Sequence, residues 1–328
     1  MFKTYQLKTE ALQMIVTNAG ASVVSLKVKD NKDNWQDVVL GYEEVDTYVT
    51  TNDACFGSVV GRHANRIKSG LFELNQKTYQ LEKNNGGNNL HSGSKGFHLR
   101  EWQVESVSDK AITFLMISPD GDQGFPGNME MRVTYELEGN QVTINYIGLS
   151  DQTTVFNPTN HSYFNLSGHQ DGNVLDHLLQ LPCRYFMPIG EDSVPTGERR
   201  SVSGTPMDYL TPKPIETQFD LSNEQLRLGN GLDHHFVLAH EEKAMVLSSP
   251  RTGITLEVTT NMPGVQIYTA NFVKDVKGKE GIVYQERSGI CLETQHCPNS
   301  INLPEEKSPI LEPNQEISYQ TKWQFTTN

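Results

Sequence analysis

The sequence predicts an all-β protein, a large antiparallel β-sandwich of two curved sheets, and three observations carry that expectation. Alanine, the best helix former, occurs 9 times against 25 asparagines and 26 glycines, residues that tolerate turns and positive φ. Alternating and β-branched runs recur from end to end between turn clusters. No amphipathic helical run extends beyond about a dozen residues. With this many strands, two packed sheets bury more apolar surface than one open sheet.

Val23–Val28 reads as an early strand, and Leu71-Phe72-Glu73-Leu74 with Thr78-Tyr79-Gln80-Leu81 reads as a hairpin turning at Asn75-Gln76-Lys77. Ile112–Ile117 follows. The next hairpin is clearer: Met129, Met131, Val133, Tyr135 and Leu137 alternate with polar residues, Gly139-Asn140 turns the chain, and Val142, Ile144 and Tyr146 alternate on the way back. Ile254–Thr260, Gln266–Phe272, Ile290–Thr294 and Ile317–Phe325 complete the set of strands. No repeat, low-complexity block or linker divides the chain, so residues 1–328 read as one domain. Four long polar loops, Glu82–Phe97, Pro119–Asn128, Asn157–Asp176 and Pro188–Asp208, are expected to be functional, because loops of that length in a packed domain rarely serve only as connections.

The formal charge of −13, from 27 basic and 40 acidic side chains, repels phosphate backbones and argues against nucleic acid or an anionic membrane as partner. No apolar run long enough to span a bilayer and no signal pattern at the N-terminus is seen. The four cysteines, Cys55, Cys183, Cys291 and Cys297, form no C-x-x-C pair, and so sparse a set does not read as a disulfide framework. Reduced thiols in a cytoplasmic protein are the expectation; the oligomeric state is open.

Two histidines stand in polar, Asn/Gly-rich contexts that do not suit a core position. His91 follows Asn84-Asn85-Gly86-Gly87-Asn88-Asn89-Leu90, and His161 lies in Asn157-Pro158-Thr159-Asn160-His161-Ser162-Tyr163-Phe164-Asn165-Leu166. Either alone is equally readable as a turn histidine bonded to backbone. Metal ligation is not expected: H-E-x-x-H is absent, and His234-His235 as strand neighbours point to opposite faces. No G-K-[ST] phosphate loop, G-x-G-x-x-G or G-x-S-x-G occurs, so neither a nucleotide cofactor nor a serine nucleophile is indicated. Among carboxylates, Glu293 alternates out of an apolar strand, so it faces away from Ile290 and Leu292, toward solvent unless something covers that face. Asp233, in Gly231-Leu232-Asp233-His234, is an ordinary loop-to-strand aspartate or a ligand for sugar hydroxyls.

Six segments in chain order resemble the aldose 1-epimerase family, the galactose mutarotases. They are Gly61-Arg62-His63-Ala64-Asn65-Arg66-Ile67, Asn88-Asn89-Leu90-His91-Ser92-Gly93, Ser118 to Gly127, Asn160-His161-Ser162-Tyr163-Phe164-Asn165-Leu166, Gly231-Leu232-Asp233-His234 and Leu292-Glu293-Thr294-Gln295. The resemblance implies the same two-sheet fold with a sugar site in an open cleft, and an isomerase that interconverts the anomers of free aldoses such as galactose and glucose without a cofactor. It implies Glu293 as general base, His161 as general acid and His91 near the ring oxygen, with Asn65, Arg66, Asp233 and Gln266 holding hydroxyls. Two positions depart from the family pattern, His235 and the run Cys297-Pro298-Asn299, and both are expected at the cleft rim, where they would bear on which sugars fit.

Anomer exchange requires a base to take the C1 hydroxyl proton while an acid protonates the ring oxygen, each contributing about 10² to 10⁴ in rate. Ordinary values of about 4.3 for Glu and 6.5 for His leave a window near pH 5 to 6. Activity at neutral pH therefore calls for His161 to be raised, with Asp233 and Glu293 as the candidate causes. Phe272, Tyr163 or Trp35 are candidates to cover the apolar face of a pyranose. Three rivals share parts of this reading: a carbohydrate-binding protein, a glycosidase using Asp233 and Glu293, and a hexose-6-phosphate epimerase. The last would need a cationic pocket, for which Arg199-Arg200 is the only adjacent basic pair near a candidate loop.

Overall fold

Side chains that alternate with period two build the frame of the molecule, which a computed structural model describes for residues 2–238 and 244–328. Met129–Glu138 and Gln141–Ser150 pair antiparallel with Leu137 opposite Val142, and burial alternates along the first of them as its sequence does. They lie within a nine-stranded antiparallel sheet in the order Gln103–Val107, Ala111–Ser118, Met129–Glu138, Gln141–Ser150, Ile317–Thr327, Ile254–Thr260, Met245–Ser248, Leu178–Gln180, Lys213–Pro214. A six-stranded sheet runs Tyr163–Phe164, Ile290–Gln295, Gly264–Tyr268, Asp233–Val237, Tyr185–Met187, Arg200–Ser201. The N-terminal strands Thr4–Lys8, Leu12–Thr17, Ser22–Lys29 and Trp35–Asp37 form a third sheet of four. Among the described residues the α-helices are two, Thr47–Thr50 and Glu224–Gly229. The chain is all-β, as its composition implies.

One apolar cluster, from Leu7 to Phe325, fills the space between the layers. The strand Ile290–Gln295 shows how the sheets meet. Ile290 and Leu292 enter that cluster, while Thr294 Oγ1 reaches Thr321 Oγ1 on the long C-terminal strand at 2.6 Å. Beside it the rings of Phe164 and Trp323 meet edge-on at 5.0 Å. All six residues of this strand are buried, so its other face, carrying Cys291, Glu293 and Gln295, is roofed by loops rather than by water.

Two expectations change here. The strand expected over Gln266–Phe272 is Gly264–Tyr268. Ala270 takes a left-handed conformation (φ 51°), which ends the pairing and lifts Phe272 onto a loop, 64 % exposed. The loop Pro119–Asn128, expected to be functional, instead wraps a buried cation. The Arg62 guanidinium donates to Ser118 Oγ, Thr154 Oγ1 and the carbonyls of Ser118, Pro119, Pro126 and Gly127, at 2.7–3.2 Å. The loop's polar backbone groups are thereby satisfied inside the protein.

Candidate active site

One face of the six-stranded sheet carries a cleft of 640 Å³ whose lining includes Asn65, Arg66, His91, His161, Asp233 and Glu293. Strands supply the floor: Glu293 from Ile290–Gln295 and Asp233 from Asp233–Val237, with Gly264–Tyr268 between them. Loops supply the walls. Three of the four long loops contribute: Asn85–Asn88 and His91 from the first, His161 and Tyr163 from the third, Glu191–Ser193 from the fourth.

Asn65 and His91 hold each other. Both take left-handed backbone conformations (φ 62° and 52°), which bring two turns back to back. The His91 N–H donates to the Asn65 carbonyl at 3.1 Å, and the Asn65 N–H donates to His91 Nδ1 at 3.1 Å. Because Nδ1 accepts a backbone hydrogen, the proton of the neutral ring sits on Nε2. Burial, reinforced by His161, His98 and Arg66, pushes His91 well below the ordinary histidine value. His91 is therefore a neutral N–H donor. The Arg66 N–H donates to Asn65 Oδ1 (2.8 Å) and its Nε to Asn85 Oδ1 (3.0 Å), which aims the guanidinium.

At the floor, His161 Nε2 stands 3.6 Å from Glu293 Oε1. Burial pushes Glu293 well above the usual carboxylate range, with the Asp233 charge adding to the effect and Arg66 opposing it. The same burial pushes His161 down to about 3. Desolvation thus overrides the attraction expected to raise the histidine, because both charged forms lose water in the same enclosure. The two shifts together leave the pair with one proton, resting on Glu293 in the free protein. Burial also raises Asp233, opposed by Arg66 and by the Gln266 Nε2 amide donating to Asp233 Oδ1 at 2.7 Å. His161 is packed against Tyr163 (centroids 5.0 Å, stacked), His91 (5.5 Å, edge) and Tyr268 (6.3 Å, edge).

The chain matches the aldose 1-epimerase family over residues 3–324. It is 40 % identical to the galactose mutarotase of Sus scrofa over 326 residues, which covers 98 % of this chain and 93 % of that protein. The chain belongs to the aldose 1-epimerase family. Among solved structures, an aldose epimerase homologue from C. elegans superposes with a TM-score of 0.94 at 27 % identity, covering 100 % of this chain and 99 % of that one. A galactose 1-epimerase from Lactobacillus acidophilus NCFM gives 0.87 at 28 % identity, covering 100 % and 98 %.

Within this aldose 1-epimerase family chain, Gln266 lies on the cleft face of the sheet, opposite Glu293 in the antiparallel register, 3 % exposed, with its amide donating to Asp233. The other expected placements change. His235 is 2 % exposed, buried beside Gln266 on the same sheet face, opposite it in register. Cys297 and Asn299 are buried too. Asn299 braces the binding turn, its N–H donating to the Arg66 carbonyl (2.8 Å) and its Oδ1 accepting from Lys68 N–H (3.0 Å). None of the departures from the family pattern is a rim residue. Trp35 lies on the outer strand of the N-terminal sheet, with Lys29 Nζ 5.5 Å from its ring.

Sequence reasoning missed Tyr268, whose hydroxyl accepts the Phe272 N–H (3.1 Å) and whose ring stacks on Phe272 at 6.4 Å. It also missed the acidic rim residue Asp53. The donor atoms of His161, Cys291 and Glu293 lie within 4.8 Å of one another. A strand and a loop gather that nitrogen, sulfur and oxygen set, so no motif spacing signals it.

Proposed function

We propose that the protein is an aldose 1-epimerase that interconverts the α and β anomers of free aldohexoses, galactose and glucose among them, with Glu293 and His161 exchanging the two protons the reaction moves. The observation that carries this reading is the 3.6 Å approach of His161 Nε2 to Glu293 Oε1 at the floor of an open cleft. The hydroxyl oxygen and the ring oxygen of a hemiacetal sit on one carbon, so an acid and a base that nearly touch reach both. Glu293 takes the C1 hydroxyl proton, Nε2 of His161 gives its proton to the ring oxygen, and the C1–O5 bond breaks to leave an open-chain aldehyde. After rotation about C1–C2, the C5 hydroxyl attacks the other carbonyl face, returning its proton to His161 while Glu293 returns the other to O1. Nothing is consumed, and the one-proton pair is restored.

The neutral Nε2–H of His91 donates to a ring-side oxygen, and Arg66, Asn65 and Asp233 fix hydroxyls, with Gln266 holding Asp233 in place. Phe272, exposed over the cleft and stacked on Tyr268, covers an apolar sugar face. Four buried, unbridged thiols support a reducing compartment.

Charge argues against a phosphorylated substrate. Asp53, Glu191, Asp192, Asp233 and Glu293 line the cleft, and Arg66 is the one guanidinium or ammonium among its described lining residues. Arg199 is bonded to Glu306 and Arg200 to Glu198, away from the cleft. Polarimetry of freshly dissolved α-D-galactose, α-D-glucose and their 6-phosphates tests the reading. Acceleration of the free sugars at least tenfold above that of the 6-phosphates is expected. Preference for the phosphates, or no acceleration over buffer, overturns it.

A further inference from the structure

The reaction as written has no use for Cys291, yet this buried thiol touches the acid. Cys291 and Glu293 stand two residues apart on one face of Ile290–Gln295, about 6.6 Å along the strand. His161 fits that interval edge-on: Nε2 lies 3.6 Å from Glu293 Oε1 and Nδ1 lies 3.5 Å from Cys291 Sγ. One strand therefore grips both nitrogens of the imidazole. The grip is held in register, because Cys291 pairs with Tyr163 on one side and Tyr268 on the other, and both rings stand against His161.

Resting on the acid/base reading of Glu293 and His161, we propose that Cys291 is a positioning residue whose sulfur accepts the Nδ1 hydrogen of His161, so that Nε2 alone exchanges protons with Glu293 and the sugar. The one-proton pair has two forms. In one, the Glu293 carboxylic acid faces a bare Nε2; in the other, the carboxylate faces Nε2–H. Nδ1 carries a hydrogen in both, and Sγ accepts it in both. The opposite tautomer would point Nε2–H at the protonated carboxyl, two donors facing each other, and the ring could not take a proton back. The His161 carbonyl accepts from Gly57 N–H at 3.0 Å and, through its second lone pair, joins the sulfur in favouring a hydrogen on the ring nitrogen beside it.

Sulfur suits the place because it is a weak acceptor. A carboxylate there, as in a Ser-His-Asp triad, would make the imidazole more basic and set a third buried anion beside Glu293 and Asp233. A ring oxygen is a poor base, and a weakly held imidazolium is the stronger acid toward it. Burial and the Glu293 charge keep the Cys291 thiol protonated, so it adds no charge of its own. The other titratable groups facing His161 are Glu293, Tyr163, Tyr268, His91 and the more distant His98, and among the described residues none of them is hydrogen-bonded to Nδ1.

The test combines Cys291→Ala, Cys291→Ser and ¹⁵N NMR of histidine-labelled wild-type protein. The alanine variant is expected to lose about tenfold in kcat with KM within about twofold, and serine, whose hydroxyl accepts, to recover most of the loss. The His161 resonances should show the Nδ1–H tautomer near neutral pH. The proposal is overturned by an Nε2–H tautomer in wild type, by wild-type kcat in the alanine variant, or by serine falling as far as alanine. Should the alanine variant not fold, the wild-type spectrum decides. Failure of the underlying acid/base reading shows separately, as retained turnover in Glu293→Gln.

Discussion

Replacing Glu293 by Gln keeps the side chain's shape and removes its ability to take a proton. The carboxyl is 2 % exposed at the floor of the cleft, and a sugar seated above it leaves no room for a buffer base to stand in. Asp233 cannot either, since Gln266 Nε2 holds its Oδ1 at 2.7 Å. A positioned base contributes about 10² to 10⁴, and with no substitute at hand the loss in kcat should fall at the upper end, about 10³ to 10⁴. That is about 4 to 5.5 kcal/mol of barrier. KM should stay close to wild type, because the amide still bonds the C1 oxygen. Stability should move the other way. With Glu293 raised in the folded state, the native chain keeps a proton that the unfolded chain releases above about pH 4.3, so the wild-type carboxyl costs stability as pH rises through that interval. The variant should therefore melt no lower than wild type at pH 8, with the difference vanishing near pH 4. Polarimetry on α-D-galactose gives the rate and circular dichroism the melt. Turnover within tenfold of wild type, or lost activity together with a lower melting temperature at pH 8, would refute the assignment.

The acid side should be governed by folding rather than by a catalytic histidine near 6.5. His63, His161, His234 and His235 are each pushed down to about 3 by burial, and His98, His177 and His296 to about 4. The unfolded chain takes up protons at these sites as pH falls below 6.5, which at pH 5 costs about 2 kcal/mol per group against a total of about 5–15. Loss of activity and of circular dichroism should coincide, between about pH 4 and 5.5; a half-point near 6.5 in folded enzyme would contradict this. Arg62→Met should lower urea stability by about 3–5 kcal/mol by orphaning four carbonyls, and leave the KM of the surviving folded fraction unchanged. Phe272→Ala should raise KM about tenfold with kcat nearly constant, as expected for binding shared by ground and transition states. Added Zn²⁺ should inhibit in competition with sugar through the His161, Cys291 and Glu293 donors, and EDTA should restore the full rate.

Much of the fold was legible because its longest strands carry clean alternation. Met129–Glu138 and Ile254–Thr260 show it in sequence and in burial alike. The two-residue strands, such as Tyr163–Phe164 and Arg200–Ser201, have no period to read and exist only through their neighbours. Alternation also placed Glu293 opposite Ile290 and Leu292, but solvent was the ordinary expectation there. What covers it is chain from residues 53–66, 85–91 and 161–163, information that no local window contains. The same distance in sequence hid the direction of the His161 shift: composition supplies the neighbouring carboxylates, while only the closed fold shows that water is gone. Arg62 and Arg66 illustrate the limit from the other side. They share one short segment and one side-chain type, yet one is sealed among carbonyls and the other opens onto the cleft.

The strand Ile290–Gln295 has no face left for drift. Ile290, Leu292 and Thr294 are committed to the layer beneath, and Cys291 and Glu293 to His161 on the face above. Mutational libraries over these six positions should therefore be almost barren, since a change that spares packing disturbs proton transfer and the reverse. Selection for a different sugar has its room elsewhere, in Asn85–Asn88 and Glu191–Ser193, which line the cleft from loops outside the sheets. The molecule separates its evolvable surface from its chemistry by a few ångströms of chain.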